Sequence, residues 1–378
     1  MSTMKKLFGN TFENMPVLLT GHTGFKGSWL SLWLREMGAK VIGFSLEEAP
    51  SIPSNFELTG LDKRVMDIRG DIRNLDALRN VMETHRPELV IHFAAQTTVL
   101  PSYRDPKASF DTNVGGTVNT LEAVRQTDCV KAVVVCTTDK VYENKEWIWG
   151  YRENDELGGY DPYSSGKAMA ELAVTSYRRS FFSAEVGSSK RVPAIGSVRA
   201  GNVIGGGDFT ENGLLADSMR AFLGKENIQI RNPSSTRPWQ YVLEPLSGYL
   251  SLAERLLNGG QEYAQAWNFG PLQSTAISTL QVVEKLVRLW GEDGQTDILY
   301  EKKDRTDGLH EAHSLHLNWD KAATLLHWHP VYNIDEALAE TVRWYRAYQM
   351  GEDMYRVGLD CIEKYVQSAC EQQLIWTS

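Results

Sequence analysis

The chain has 378 residues, of which 42% are hydrophobic and 23% charged, with a formal net charge of -9. This is ordinary globular composition, long enough for two domains, and it excludes disorder and fibre. The acidic balance argues against nucleic acid as a partner, while leaving room for local basic pockets that take a small anion.

No apolar run approaches the ~20 residues of a membrane helix. The opening M-S-T-M-K-K-L-F-G-N has two lysines but no apolar signal core, so a cytoplasmic protein without membrane association is expected. Cys129, Cys136, Cys361 and Cys370 lack C-x-x-C spacing, which suggests buried small side chains and neither a disulfide framework nor a metal site.

Through the first half, short apolar runs alternate with longer amphipathic stretches, the pattern of a doubly wound parallel α/β sheet. Strands are predicted at 17–20, 41–44, 89–93, 132–136 and 194–198, with another just ahead of Asp71. Helices are predicted at 25–37, 75–85, 110–126 and 163–182. After about residue 205 helices are separated by Pro- and Trp-rich segments such as N-P-S-S-T-R-P-W-Q. Two domains are expected, a dinucleotide-binding one over 15–205 and a smaller mixed substrate-binding one over 206–378, with segments that interleave.

The first predicted strand runs into T-G-H-T-G-F-K-G-S-W-L, with Gly21, Gly24 and Gly27 three apart and Thr23, Phe25 and Lys26 between them. Glycines there allow a tight turn and close approach of backbone to a pyrophosphate, and the following helix supplies amide donors at its N-terminus. The triplet alone is weak, but between a strand and an amphipathic helix it predicts a dinucleotide site. After the second strand stand Ser45 and Leu46, with Glu47 and Glu48 only later and no arginine cluster for a 2′-phosphate, which favours NAD over NADP. His22 is bulky beside the phosphate path, and the sequence does not say whether it helps or crowds. Asp71 and Ile72 are candidates for the adenine end. Phe93, Ala94, Ala95 and Gln96 end another strand with small residues beside which a dinucleotide can lie, and Asn113 joins the candidate cofactor set.

The run Ala132-Val133-Val134-Val135 leads into C-T-T-D-K-V-Y, which places Asp139 and Lys140 at the carboxyl end of a buried strand. An acid beside an amine is a solvated turn unless a ligand sits there, and strand carboxyl ends are where open α/β sheets bind ligands. Further on, Y-S-S-G-K sets Tyr163 and Lys167 at i and i+4, on one face of the helix that follows Pro162. A phenol with pKa near ~10 becomes a usable base when an ammonium and a nicotinamide cation favour the phenolate.

The stretches T-G-H-T-G-F-K-G, C-T-T-D-K-V-Y, Y-S-S-G-K, R-A-G-N-V-I-G and R-P-W-Q-Y-V, in this order, resemble the extended short-chain dehydrogenase/reductases that modify nucleotide sugars, closest to their CDP-glucose 4,6-dehydratase branch. The resemblance runs from about Val17 to Pro330 and leaves the last forty-odd residues without a motif. It implies a Rossmann domain, NAD, a homodimer through two helices of that domain, and a 4-keto-6-deoxy sugar product used for deoxyhexoses of bacterial surface polysaccharide such as the O-antigen of lipopolysaccharide.

Residue by residue, the resemblance implies that Tyr163, with Thr138 on the same oxygen, takes the proton of the sugar's 4-hydroxyl as hydride leaves carbon 4, with Lys167 beside it. Asp139 and Lys140 then serve as acid and base for loss of water across carbons 5 and 6, in roles that could be exchanged. Lys140 departs from the Asp-Glu pair of dTDP-sugar dehydratases and matches the CDP-sugar branch. A neutral, buried Lys140 and a protonated Asp139 are expected. Asn202 and Arg237 match positions that hold substrate phosphates, and Trp239, Arg305 and the segment D-G-L-H-E-A are weaker candidates for the nucleotide side. Two rivals share much of this pattern: a 4-epimerase or reductase, which has no need of Asp139 and Lys140, and a silent dinucleotide-sensing protein, which has no need of a tuned phenol.

Overall fold

The computed structural model describes residues 3–183, 192–230, 232–272, 277–291, 300–302 and 314–378. One parallel sheet is built from β1 (Pro16–Thr20), β2 (Lys40–Ser45), β3 (Met66–Arg69), β4 (Leu89–His92), β5 (Ala132–Cys136), β6 (Ala194–Ala200) and β7 (Ala266–Phe269), in spatial order 3-2-1-4-5-6-7. Val17 of β1 pairs with both Val41 and Leu89. The winding therefore reverses between β1 and β4, and such sheets open a crevice at that point.

Helices α1 (Phe25–Glu36), α2 (Leu75–His85), α3 (Gly116–Gln126) and α4 (Pro162–Ser180) join the strands of this Rossmann unit. Every position of β5 is buried, as a strand covered on both faces requires. The two-residue period divides the core: Val17, Leu19, Ile91 and Val134 pack under α1, while Leu18, Val90, Val133 and Val135 pack under α2, α3 and α4.

The helix predicted over 110–126 starts earlier, at Pro106, and widens into a π turn at Asp111–Gly115 before α3. Beyond residue 205 the described residues form α5 (Leu214–Gly224), α6 (Leu243–Gly259) and α7 (Thr279–Trp290), with two small two-stranded pairs, and a third joins Gln240–Tyr241 to Val203–Ile204. It also returns to the main sheet. β7 pairs with β6, Trp267 opposite Val198, and α6 packs on β5 and β6 through buried Leu252 and Leu256.

The motif-free C-terminus forms α8 (Ile334–Gln349) and α9 (Met354–Glu371). Gly358 of α9 sits so close to α1 that a Cβ would stand 2.8 Å from Leu32 Cδ2. Trp376 stacks on Phe8 at 5.2 Å and meets Trp33 of α1 edge-on at 5.9 Å, and the Gly9 amide donates to the Ser378 carbonyl at 3.1 Å. Buried Glu244, at the start of α6, accepts from the Val331 and Tyr332 amides and the Tyr365 hydroxyl at 2.7–2.8 Å. Both chain ends thus brace the helix that follows the glycine loop.

Candidate active site

β1 ends in Gly21, whose φ of +74° and a virtual Cβ only 2.7 Å from the Ala94 amide nitrogen leave no room for another residue. At Gly27 a Cβ would lie 2.1 Å from the Gly21 carbonyl oxygen, so α1 begins against the loop. Gly24 precedes α1 in extended conformation. The result is a backbone cradle at a helix N-terminus, which fits a dinucleotide pyrophosphate.

His22 turns away from that cradle. It is fully buried, with Nδ1 2.8 Å from Ser45 Oγ and Nε2 2.9 Å from Asp67 Oδ1, and its ring fills the space where a Cβ on Gly43 would come within 2.2 Å. It staples the loop to β2 and β3, and burial pushes its imidazole below the usual value.

Two arginines do reach the end of β2, from β3 and the turn after it. Arg69 donates to the Leu46 and Glu47 carbonyls and pairs with Asp67 at 2.8 Å, and Arg73 forks onto Asp71 at 2.5 and 2.9 Å. Each is matched by its own carboxylate, which leaves no surplus positive charge for a 2′-phosphate.

A cavity of about 650 Å³ runs from the glycine loop into the smaller lobe. Its wall includes Gly21, Thr23, Gly24, Phe25, Lys26, Gly27, Asp71, Ile72, Phe93, Ala94 and Ala95 on the loop side, then Thr138, Lys140, Tyr163 and Lys167, then Asn202, Arg237 and Trp239. Three candidates stand outside the wall. Asn113 and Gln96 clamp one another, Asn113 Nδ2 donating to the Gln96 carbonyl at 3.0 Å and its Oδ1 accepting the Gln96 amide at 2.9 Å. Asp139 is buried one hydrogen bond behind Thr138, whose hydroxyl donates to Asp139 Oδ1 at 3.0 Å. Arg305 and D-G-L-H-E-A lie outside the described residues.

Beyond β5, Thr138 caps a short turn, Asp139–Val141, that swings Lys140 to the cavity. The burial expected of Lys140 is only partial. Its side chain is 31% exposed against 2% for Asp139, and its ammonium stands 3.4 Å from Asp139 Oδ1. Tyr163 and Lys167 share a face of α4, with Lys167 Nζ donating to the Cys136 carbonyl at 3.1 Å. Burial pushes the Lys167 amine down to about 8. Burial also pushes the Tyr163 phenol above its ordinary value, with the Thr138 hydroxyl opposing. In the chain alone burial thus opposes the phenolate that the ammonium and a nicotinamide cation together are expected to favour.

Thr137 is anchored beneath. Its hydroxyl donates to Glu171 at 2.6 Å, and Glu171 is forked by Arg199 at 2.9 and 3.0 Å, both side chains at most 3% exposed. Arg199→Met strands a buried carboxylate and is expected to cost about 3–5 kcal/mol in urea unfolding. A loss below about 1 kcal/mol would show that Glu171 finds other partners.

The sequence pointed to none of Thr210, Asn212, Asp217, Gln229, Asn232, Ser235 and Thr279, which line the smaller-lobe half of the cavity. They come from short elements and loops scattered between 210 and 279, with no motif to mark them. Cys136, read as a buried small side chain, turns out to line the cavity as well.

A glycine cradle and a Tyr-Lys helix facing one cavity, on a sheet of this order, define an extended short-chain dehydrogenase/reductase. Residues 18–341 match the GDP-mannose 4,6 dehydratase family, and the chain belongs to it. It is 48% identical to the CDP-glucose 4,6-dehydratase of Salmonella typhimurium, over 91% of this chain and 94% of that one. It is 25% identical to the UDP-glucose 4-epimerase of Erwinia amylovora, over 87% and 97%. Among solved structures, the dTDP-glucose 4,6-dehydratase DesIV of Streptomyces venezuelae, with NAD bound, superposes with a TM-score of 0.74 at 22% identity, over 90% of this chain and 100% of that one.

Proposed function

We propose that the protein catalyses the NAD-dependent 4,6-dehydration of CDP-D-glucose to CDP-4-keto-6-deoxy-D-glucose, a hydro-lyase reaction. The observation that carries this reading over a 4-epimerase is the Asp139–Lys140 pair, its lysine on the cavity wall with Thr138, Tyr163 and Lys167 and its acid buried just behind. Oxidation at carbon 4 needs the last three. Only elimination needs the first two.

Bound NAD would accept hydride from carbon 4 and return it to carbon 6. Gly21, Gly24, Gly27 and the start of α1 would hold its pyrophosphate, with Asp71 and Ile72 toward the adenine and Phe93, Ala94 and Ala95 alongside. Tyr163 removes the 4-hydroxyl proton, with Thr138 on the same oxygen. The ketone so formed acidifies carbon 5. Lys140, which lines the cavity, takes that proton, and Asp139, paired with it, protonates the oxygen leaving carbon 6. The ion pair already holds the single proton this requires. The elimination needs that proton on the carboxyl and the amine free as a base, and the two groups stand 3.4 Å apart. Asn202 and Arg237 hold the diphosphate, the arginine by its fork, with Trp239 toward the nucleotide.

The same reading makes the protein a cytoplasmic homodimer supplying deoxyhexose synthesis for surface polysaccharide. No helix among the described residues is long and apolar enough to cross a membrane. Met169, Leu172 and Phe181, on and just after α4, leave 46%, 58% and 48% of their surfaces exposed, which suits a partner helix pair.

The test of substrate is a competition between CDP-glucose and dTDP-glucose, read by the ultraviolet absorbance of the base-treated keto sugar. CDP-glucose is expected to have the higher specificity constant. Equal constants would refute the cytidine preference.

A further inference from the structure

Two lysines converge on one residue of the cavity wall. Lys26, from the first turn of α1, reaches across the cavity floor to Cys136 at the end of β5, its Nζ 3.4 Å from Sγ. Lys167, from α4, donates to the carbonyl of the same Cys136 at 3.1 Å. The Lys26 ammonium is held in place by two ring faces, lying 5.8 Å from the Phe93 centroid and 5.9 Å from that of Tyr249. Its place among the glycines suggests a phosphate ligand, but these contacts carry it to the carboxyl end of β5, beside the catalytic pair.

We propose that Lys26 is a positioning residue of the proton-transfer machinery, a second positive charge held beside Lys167 so that the two together favour the phenolate of Tyr163. The proposal rests on the dehydratase reading above for its purpose, though not for its geometry. The Tyr163 phenol is buried, faces the carboxyls of Asp139 and Asp161 and the Cys136 thiol, and has the Tyr249 phenol nearby from α6. Those neighbours oppose a phenolate, so charge must come from elsewhere. Around Lys167 stand Cys136 from β5, Glu171 from its own helix, His92 from β4 and Lys26 from α1. Glu171 is already committed to Arg199, and His92 is buried and held neutral. Lys26 is the neighbour that adds a cation on the cavity side.

A like charge disfavours the protonated form of its neighbour, so removing Lys26 must raise the proton affinity of Lys167. The test titrates the ε-carbon resonance of Lys167 by NMR in cofactor-free protein, with the resonance assigned by its absence from Lys167→Arg. In Lys26→Met the midpoint is expected to move up by roughly half a pH unit or more, with Lys26→Arg staying close to the parent. In single-turnover oxidation of CDP-glucose, the acid limb of the pH profile for Lys26→Met is expected to move in the same direction. Lys26→Gln, nearly as long and neutral, serves if the methionine variant does not fold. A Lys167 midpoint indistinguishable from the parent's overturns the proposal, whatever happens to cofactor affinity. The titration uses no substrate. A shifted midpoint in a protein that makes no keto sugar would therefore sink the dehydratase reading and leave the electrostatic role standing.

Discussion

Lys140→Ala is expected to oxidise carbon 4 and then stall. Tyr163, Lys167 and Thr138 are untouched by the change, so the first proton transfer proceeds, but nothing on the cavity wall takes the proton from carbon 5. Reduced cofactor should build up on the enzyme during a single turnover, and deuterium from solvent should fail to enter carbon 5. Loss of a general base typically costs ~10²–10⁴ in rate, and overall turnover should fall by that much or more. Turnover within a few-fold of the parent, or normal deuterium exchange at carbon 5, would reduce Lys140 to an electrostatic neighbour. The base would then be sought first at Asp139, with the two roles exchanged.

Tyr163→Phe should fail one step earlier. The lost hydroxyl carries the first proton transfer, so neither reduced cofactor nor keto sugar should form, with a loss of ~10²–10⁴ or more. The fold should survive, because the ring remains and the fixed contact at this position is its backbone amide, which donates to Ser102 Oγ at 3.1 Å. Together the two variants bracket the pathway: one stops before oxidation, the other after it. Appreciable activity in Tyr163→Phe with intact circular dichroism would move the first base to another residue.

Much of this site was legible in the sequence because its working parts are local. Gly21, Gly24 and Gly27 fall within seven residues, Thr138 to Lys140 are consecutive, and Tyr163 and Lys167 are one helical turn apart. Each signal is set by strand end or helix period, which a single sequence exposes. What stayed hidden depends on distant segments meeting. The role of His22 could not be read because its partners, Ser45 and Asp67, lie 23 and 45 residues away. Strand β7 is only Ala-Trp-Asn-Phe, too short and too little β-branched to announce itself, so its return to the sheet from beyond residue 205 could not be read locally. Lys26 stood in the sequence only as a member of the glycine loop, because its contact with Cys136 is made 110 residues on. Burial of the Tyr163 phenol, which pushes it above its ordinary value, is likewise set by the fold and not by the Tyr-Lys spacing.

The central claim is that hydrogen leaves carbon 4 and returns to carbon 6 of the same sugar as water departs. CDP-glucose carrying deuterium at carbon 4, incubated with the purified protein and NAD in ordinary water, tests it directly by NMR and mass spectrometry of the product. The account predicts a 4-keto-6-deoxy sugar with the deuterium on carbon 6 and a solvent proton on carbon 5. Deuterium remaining at carbon 4 of an epimerised sugar, or no product at all, would contradict it.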